Sequence, residues 1–232
     1  MQRRDAKTGI PRSVEAALAL LGLLTASPVL VLVATAVFIG SGRPILFRQR
    51  RIGKHGKPFT LFKFRSMSVM SVSNAGPGFT AAGDNRITAV GRLLRRSKID
   101  ELPELWNILK GDMSFVGPRP EVPQYVDCSQ PAWQFVLQAR PGLTDPVTID
   151  LRHEESLLES VQGDREQFYI SVLVPLKLEG YREYLARRTF WSDVSVLVRT
   201  AFVLVSARRV NSFADDLKFQ SMSEHSDHSF RK

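Results

Sequence analysis

Residues 16–42 carry no charged side chain, and residues 16–39 form a nearly continuous apolar run of 24 positions. A helix needs about 20 such residues to cross the hydrocarbon part of a bilayer. A secretory signal does not fit, because the run is too long and because Arg43 and Arg48 follow it instead of a small-residue cleavage site. The run therefore predicts a membrane segment close to the N-terminus.

Basic residues lie on both sides of this run. The first 65 residues contain 12 basic and two acidic side chains, whereas the remaining 167 residues sum to −1. Basic flanks mark the cytoplasmic side of a membrane segment, so a straight span would carry one of the two clusters across the membrane. The flank that follows the run predicts lipid-headgroup contact for three arginines, Arg48, Arg50 and Arg51.

The middle of the run contains Ser27-Pro28. Proline removes a backbone donor and bends a helix, and the Ser27 hydroxyl is well placed to serve the carbonyl that is left without a partner. A bent helix would dip into one leaflet and return, which leaves both basic flanks on one face. An ordinary span that tolerates the proline is the alternative, and the residues alone favour neither strongly.

The composition excludes several other classes of protein. With 44% hydrophobic residues in 232, the chain can bury a sizeable core. A single cysteine, Cys128, excludes an internal disulfide framework and a thiolate zinc site, so a reducing, cytoplasm-facing compartment fits. The net charge of +9 raises the alternative of a nucleic-acid binder. We predict no nucleic-acid partner, because the excess charge flanks the apolar run and no recognition motif accompanies it.

The pattern after the run predicts an α/β fold that is predominantly helical. A β-hairpin is expected within residues 45–67, a surface loop at 71–85, and irregular, rigid backbone around the prolines from 118 to 146. The last helix has one apolar face, which suits a membrane surface or a protein core equally well. Helical segments are predicted at 87–97, 102–110, 128–139, 154–161, 164–186 and 191–209. The predicted units are residues 1–42 (basic segment and membrane helix), 43–210 (cytoplasmic domain) and 211–232 (polar, disordered tail).

The stretch from 98 to 120 carries the chemistry. Asp100 and Glu101 stand next to each other just before Pro103, a residue favoured in the first turn of a helix. Helix starts attract phosphate, and basic residues precede and follow the pair. Carboxylates that attack phosphorus or hold Mg²⁺, beside guanidinium groups that hold phosphate oxygens, are the groups that phosphoryl transfer requires. A helix cap with surface ion pairs is the alternative for such a pair taken alone.

Several short motifs accompany the acidic pair in a fixed order. They are Ser27-Pro28, KFRSM at 63–67, DNRIT at 84–88, DELP at 100–103, NILKGDMS at 107–114, GPRP at 117–120 and RPGLT at 140–144. Together they resemble the bacterial sugar transferase family, the monotopic phosphoglycosyl transferases that act on polyprenyl phosphate. The resemblance extends over residues 13–205, and it implies the small catalytic-core type.

The resemblance implies transfer of a sugar-1-phosphate from a UDP-sugar to undecaprenyl phosphate, with release of UMP. Asp100 would be the nucleophile and form an aspartyl-phosphosugar intermediate, which divides one displacement into two. Glu101 would be a metal ligand with Asp100 or would handle the acceptor's proton, and the implied cofactor is Mg²⁺. The implied location is the bacterial inner membrane, with the catalytic domain facing the cytoplasm and interfacial amphipathic helices on the lipid.

Five basic residues match family positions that bind phosphate or nucleotide. They are Lys63, Arg65, Arg95, Arg119 and Arg152. For each residue alone, a structural ion pair or a contact with a membrane phosphate is the alternative. Asp145-Pro146 departs from the commonest family pattern after Thr144, which leaves the sugar contacts there undefined, and the sequence does not identify the sugar.

The implied reaction starts the synthesis of exopolysaccharide, capsule or O-antigen. Downstream glycosyltransferases are therefore possible partners. A membrane scaffold without catalysis, which recruits such enzymes, is the alternative from another class of protein. Loss of the acidic pair or of Arg119 would favour the scaffold, and the sequence retains all three residues.

Overall fold

The computed structural model describes residues 8–68, 86–151 and 154–205. The first long element, helix α1, runs from Arg12 to Ser41 and contains Pro28. Its most apolar 18-residue window has a mean hydropathy of 2.4, so α1 is long and apolar enough to cross a membrane. Ser27 Oγ donates a hydrogen bond to the Leu24 carbonyl at 2.7 Å. That carbonyl is the one that the missing N–H of Pro28 leaves free, so the predicted local role of Ser27 is confirmed.

Both halves of α1 pack against the same domain. In the first half, Ala19 is fully buried in a cluster that includes Leu105 and Ile108. In the second half, Val37 is buried beside Phe64. The opposite face of the helix is apolar and exposed, with Leu18, Leu21, Leu24, Val31, Leu32 and Ile39 among its residues. The helix therefore lies along the domain for most of its length.

Polar contacts hold both ends of α1. Near its start, Glu15 is only 2% exposed and accepts hydrogen bonds from the Phe115 amide at 3.2 Å and from Ser114 Oγ at 3.4 Å. At its end, Arg65 Nη2 donates to the carbonyls of Ser41 and Gly42, the latter at 2.8 Å. The Arg65 contacts serve carbonyl groups at the C-terminal end of α1, which a helix terminus leaves without partners, whereas the Glu15 contacts join its start to a distant segment of the chain.

The predicted hairpin is confirmed. Strands β1 (Leu46–Ile52) and β2 (Pro58–Phe64) pair antiparallel, with Gln49 opposite Leu61. The headgroup prediction is wrong for Arg51, whose Nη1 donates to the Pro120 carbonyl at 2.9 Å inside the protein. Successive strand residues point to opposite faces, so Arg48 and Arg50 share an outer face while Arg51 points inward.

The predicted helices form, although most are shorter than the sequence suggests. They are α2 (Ala89–Ser97), α3 (Glu104–Lys110), α4 (Pro131–Val136), α6 (Glu154–Ser160), α7 (Arg165–Phe168), α8 (Val174–Arg187) and α9 (Phe190–Val205). Helix α5 (Pro146–Asp150) forms as well, where the sequence predicts irregular backbone. A π-helical turn, Tyr169–Leu173, joins α7 to α8, where the sequence predicts one helix. The largest core cluster lies between α4, α6 and α8, around Trp133, Leu158 and Leu178. The predicted loop at 71–85 and the tail at 211–232 lie outside the described residues.

The proline-rich segments contain regular structure that the sequence does not predict. Strand β3 (Ser114–Val116) pairs in parallel with β4 (Gly142–Thr144), and α5 follows directly. The pairing needs glycine, because a Cβ atom on Gly142 would lie 2.1 Å from the Gly117 amide nitrogen. Close backbone approach at these two glycines thus explains why the segment is not irregular.

Helix α9 has two apolar faces. Val196 is buried against Val116 and Ile149, so one face belongs to the core. Trp191 and Phe202 are exposed on the other, 75% and 60% respectively. The sequence leaves open whether this helix lies in the core or on a membrane surface, and the two are compatible because one face is buried and the other is exposed.

Asn107 joins α3 to the hairpin and is completely buried. Its amide nitrogen donates to the Thr60 carbonyl at 2.7 Å, and its oxygen accepts from the Phe62 amide at 3.1 Å. A polar side chain in this position satisfies two backbone groups that neither the sheet nor the helix serves.

We expect Asn107→Ala to lower the free energy of unfolding by about 1–3 kcal/mol, because it leaves buried backbone groups unpaired. Thermal unfolding in detergent measures the effect. Gln134→Ala is the matched control, since this exposed amide also donates to a backbone carbonyl. Equal midpoints for the two variants would contradict the role assigned to Asn107.

Candidate active site

The acidic pair lies in a tight turn between two helices. Helix α2 begins at the cap Thr88, whose Oγ1 accepts from the Gly91 amide, and ends at Lys98. Lys98 adopts the left-handed conformation, with φ of 57°, which turns the chain into a single 3₁₀ turn over Ile99–Glu101. Helix α3 then begins after Pro103. The turn places both carboxylates at the junction of α2, α3 and the hairpin.

Glu101 brings together two of the predicted basic residues. Its Oε1 accepts from Lys63 Nζ, at the end of β2, and from Arg119 Nη2, in the Pro118–Pro120 turn, both at 2.8 Å. Charge-assisted hydrogen bonds of this kind are the strong ones in proteins. Three distant segments of the chain therefore meet at one carboxylate oxygen.

Asp100 is buried as well, but it lacks the strong hydrogen bonds that Glu101 accepts. Its side chain belongs to a residue that is 6% exposed, and its Oδ1 has no hydrogen-bond partner among the described residues. Burial raises the pKa of Asp100, the neighbouring charge of Glu101 raises it further, and Lys63, Lys98 and Arg95 oppose the shift. A buried carboxylate without a partner is costly, and such groups mark sites where a ligand or a reaction is expected.

The pKa of Glu101 moves the other way. Burial alone would raise it, but Lys63, Arg119 and Lys98 together hold the pKa of Glu101 well below its usual range. The same contact with Glu101 raises the pKa of Arg119 well above its usual range. The pKa values of the two adjacent carboxylates are thus shifted in opposite directions, because Lys63 and Arg119 donate hydrogen bonds to Glu101 and not to Asp100.

A third carboxylate, Glu104, is part of the site, although it lies between the motifs at 100–103 and 107–114. It is 2% exposed, and its Oε1 lies 3.1 Å from Lys63 Nζ. Burial raises its pKa. The signal was present in the sequence, since Glu104 follows Glu101 by three positions and such residues share a helix face.

Asp145, where the sequence departs from the commonest family pattern, is also buried near Arg119. It is 1% exposed and caps α5, accepting from the Thr148 amide at 2.7 Å and from Thr148 Oγ1 at 2.6 Å. Burial raises the pKa of Asp145 to about 6, although the Thr148 hydrogen bonds and the charge of Arg119 lower it. The departure therefore adds a titratable group beside the site.

The remaining predicted phosphate-binding residues are placed differently. Arg95 pairs with Glu155 of α6, and its charge still acts on Asp100. Arg65 serves the end of α1, while its Nε and Nη1 are buried with no hydrogen-bond partner among the described residues. Arg152 lies outside the described residues. Lys63 and Arg119 are thus the two that the structure brings directly to the acidic pair.

The predicted Mg²⁺ has two candidate ligands here, Asp100 and Glu101. The described residues contain no group of three acidic, histidine or cysteine side chains arranged for a metal ion. Mg²⁺ is usually held by one or two carboxylates, with waters and substrate phosphates completing its shell, so the pair suffices in type and number. The unpartnered Asp100 Oδ1 fits such a ligand. The metal stays a prediction.

Comparison with known proteins identifies the family. A family model described as bacterial sugar transferase matches residues 6–207, which is most of the chain. The chain belongs to this family.

Individual relatives have related names. A Caulobacter vibrioides protein named UDP-glucose:undecaprenyl-phosphate glucose-1-phosphate transferase is 39% identical over 185 residues, covering 77% of this chain and 64% of the relative. An Escherichia coli protein of the same name is 36% identical over 198 residues, 83% of this chain and 39% of the relative. An Aeromonas hydrophila UDP-N-acetylgalactosamine-undecaprenyl-phosphate N-acetylgalactosaminephosphotransferase is 31% identical over 194 residues, 82% and 42% respectively. The chain thus matches between two fifths and two thirds of the length of these relatives.

The opposite pKa shifts of the acidic pair predict opposite effects on stability. The raised pKa of Asp100 means that its ionisation costs stability above the unfolded value of 3.8. Asp100→Asn should therefore raise the thermal unfolding midpoint at pH 7, and the gain should vanish as the pH falls below about 4. Thermal unfolding from about pH 3 to pH 8 measures both the gain and its disappearance.

Glu101→Gln should instead lower the free energy of unfolding at pH 7 by about 1–3 kcal/mol, because Lys63 and Arg119 lose their shared counter-charge. Since the pKa of Glu101 is depressed, this loss should persist down to the ordinary carboxyl range near pH 4.5 and fade below it. The same sign for both variants at pH 7 would contradict the division of roles.

Proposed function

We propose that the protein transfers a sugar-1-phosphate from a UDP-sugar to undecaprenyl phosphate and releases UMP, and so starts the synthesis of a cell-surface glycan. The observation that carries the proposal is the buried Asp100, whose Oδ1 has no hydrogen-bond partner among the described residues, beside a Glu101 that pairs with Lys63 and Arg119. The names of the relatives supply the donor and acceptor classes. A scaffold without catalysis would not need to keep a carboxylate buried at this cost.

In the first step, an Asp100 carboxylate oxygen attacks the sugar-bearing phosphorus of the donor. The phosphorus–oxygen bond to the UMP portion breaks, UMP leaves with that bridging oxygen, and an aspartyl-phosphosugar remains. In the second step, a phosphate oxygen of undecaprenyl phosphate attacks the same phosphorus, and the Asp100 carboxylate is released. Dividing the displacement in this way is the usual gain of covalent catalysis.

The charges around Asp100 fit both steps. An anionic nucleophile approaches an anionic diphosphate, so cations must lie beside the reacting phosphorus. Lys63 and Arg119 donate hydrogen bonds to Glu101, both at 2.8 Å, and no hydrogen bond from either occupies Asp100 Oδ1, so this oxygen is available to attack while the cations lie nearby. Bound Mg²⁺, with Asp100 and Glu101 as protein ligands, would neutralise the diphosphate and the departing UMP.

The low pKa of Glu101 favours one of its two predicted roles. A carboxylate that remains ionised beside two cations is a poor acceptor of a proton and a good ligand or positioning group. We therefore assign Glu101 to holding Lys63, Arg119 and the metal, and not to handling the acceptor's proton.

The proposed location is the inner membrane, with the catalytic domain on the cytoplasmic side. Both ends of α1 contact the same domain, through Glu15 at the start and Arg65 at the end. A helix held in this way supports re-entry into one leaflet, because a straight span would separate its ends by the membrane. The exposed Trp191 and Phe202 of α9 support a second contact with the lipid surface.

The reaction is tested by UMP release from the purified protein in nanodiscs, with undecaprenyl phosphate, Mg²⁺ and a panel of UDP-sugars. The relatives place UDP-glucose and UDP-N-acetylgalactosamine first in that panel. We expect one donor to release UMP and Asp100→Asn to reduce the rate by at least about 10⁴-fold, because the nucleophile is lost. The variant should remain folded, since its stability should rise.

Three results would count against the proposal. Substantial UMP release by Asp100→Asn would remove Asp100 from the role of nucleophile. Unchanged turnover in EDTA would contradict the metal. Silence with every donor, together with no radiolabelled lipid in cell membranes, would favour the scaffold.

Labelling with a membrane-impermeant maleimide tests the re-entrant helix. The exposed Cys128 lies in the domain and serves as the internal control. We expect a cysteine introduced by Thr8→Cys to be protected in intact cells and labelled after permeabilisation, as Cys128 is. Labelling of residue 8 in intact cells, with Cys128 protected, would show a span.

Pro28→Ala should straighten α1 and increase the labelled fraction at residue 8, because alanine restores the backbone donor. If residue 8 stays protected in that variant, Pro28 does not set the topology.

A further inference from the structure

Glu121, two residues after Arg119, belongs to a cluster of buried polar side chains. Glu121 is 7% exposed, and its Oε1 accepts from the Tyr169 hydroxyl at 2.7 Å. Lys177 Nζ lies 3.6 Å from the same oxygen and donates to the Tyr169 hydroxyl at 3.1 Å. Buried charges persist in proteins only when they are paired in this way. None of these three residues has a part in the steps described above.

The main chain is held as well, at Glu121 and at the preceding residue, Pro120. The Ile52 amide donates to the Glu121 carbonyl at 2.9 Å, and Arg51 Nη1 donates to the Pro120 carbonyl at 2.9 Å. The hairpin thus holds the main chain of the turn, while the Tyr169–Lys177 pair holds its side chain. Prolines on either side of Arg119 restrict the backbone, so a shift at Glu121 is passed to Arg119.

The charges require the same arrangement. Arg51 lies close enough to Arg119 for the two guanidinium groups to repel each other, and burial together with Arg119 lowers the pKa of Arg51. Glu121 opposes that shift, with Oε2 at 3.9 Å from Arg51 Nη1. Without the Glu121 charge, less of the repulsion between the guanidinium groups of Arg51 and Arg119 would be offset.

We propose that Glu121, held by Tyr169 and Lys177, is a positioning residue that fixes the turn presenting Arg119 to Glu101. This inference rests on the proposed function for its effect on the reaction. It adds a role for three residues outside the acidic pair, since Glu121 acts only through Arg119.

The test compares Glu121→Gln with Glu179→Gln. Both changes remove one carboxylate charge from an ion pair, but Glu179 lies on the exposed face of α8, 2.8 Å from Arg182. Misplacement of a group by about 1 Å can cost a hundredfold in rate. We expect Glu121→Gln to lower kcat/KM for the UDP-sugar by about ten- to a hundredfold, and Glu179→Gln to leave it unchanged.

A double-mutant cycle separates positioning from a general structural effect. If Glu121 acts through Arg119, Glu121→Gln should cost less than about threefold in an Arg119→Ala background. Equal losses with and without Arg119 would overturn the inference.

Two features guard against mistaking a misfolded variant for a loss of positioning. Lys177 keeps a counter-charge in Glu121→Gln, because it also donates to Glu154 Oε1 at 2.8 Å. Should Glu121→Gln still fail to fold, Tyr169→Phe removes one hydroxyl and no charge, and should lower kcat/KM in the same direction. Wild-type kcat/KM in the folded variant would overturn the inference.

A readout without turnover distinguishes this inference from the proposed function. Phenylglyoxal modification of Arg119, followed by peptide mass spectrometry, should be several-fold faster in Glu121→Gln than in the wild type or in Glu179→Gln. If the wild type releases no UMP with any donor, the proposed function fails and this rate still decides the positioning role. An unchanged modification rate would overturn it.

Discussion

The contact of Glu101 with Lys63 and Arg119 is the interaction on which the site depends. Lys63 comes from the hairpin, Glu101 from the turn before α3, and Arg119 from the Pro118–Pro120 turn, and all three meet at one oxygen. Because Glu101 accepts hydrogen bonds from both cations, Oδ1 of the adjacent, buried Asp100 has no hydrogen-bond partner within the described part of the chain. Burial raises the pKa of Asp100, so its ionised carboxylate costs stability at this position.

Buried polar contacts also hold the long helix α1 in place. One apolar face of this helix packs on the domain and the other is exposed. Here buried polar contacts fix its position, with Glu15 at one end and Arg65 at the other. Between them, Ala19 and Val37 pack into separate core clusters. The helix and the turn that carries Asp100 and Glu101 are therefore parts of one packed unit, because Leu105 and Ile108 of α3 contact α1.

Much of this arrangement could be predicted from the sequence. The uncharged run predicts α1, alternating residues predict the hairpin, and the motifs lead to Asp100, Glu101, Lys63 and Arg119. Sequence periodicity could not find β3 and β4, since each has only three residues and pairs with a distant segment. It misplaced Arg51, because charge density near a membrane segment does not show which strand face a side chain occupies. Glu121 and Lys177 are 56 positions apart, and their contact is a property of the fold.

Gly117 and Gly142 connect the two motifs around Arg119 by direct backbone contact. A Cβ atom on Gly117 would lie 2.4 Å from the Arg140 carbonyl oxygen, and one on Gly142 would lie 2.4 Å from the Gly117 carbonyl oxygen. A clash between main chains cannot be relieved by changing a neighbouring side chain, so neither position can drift with a compensating substitution elsewhere. In a chimaera made from two relatives, the segments around Gly117 and Gly142 must therefore come from the same parent.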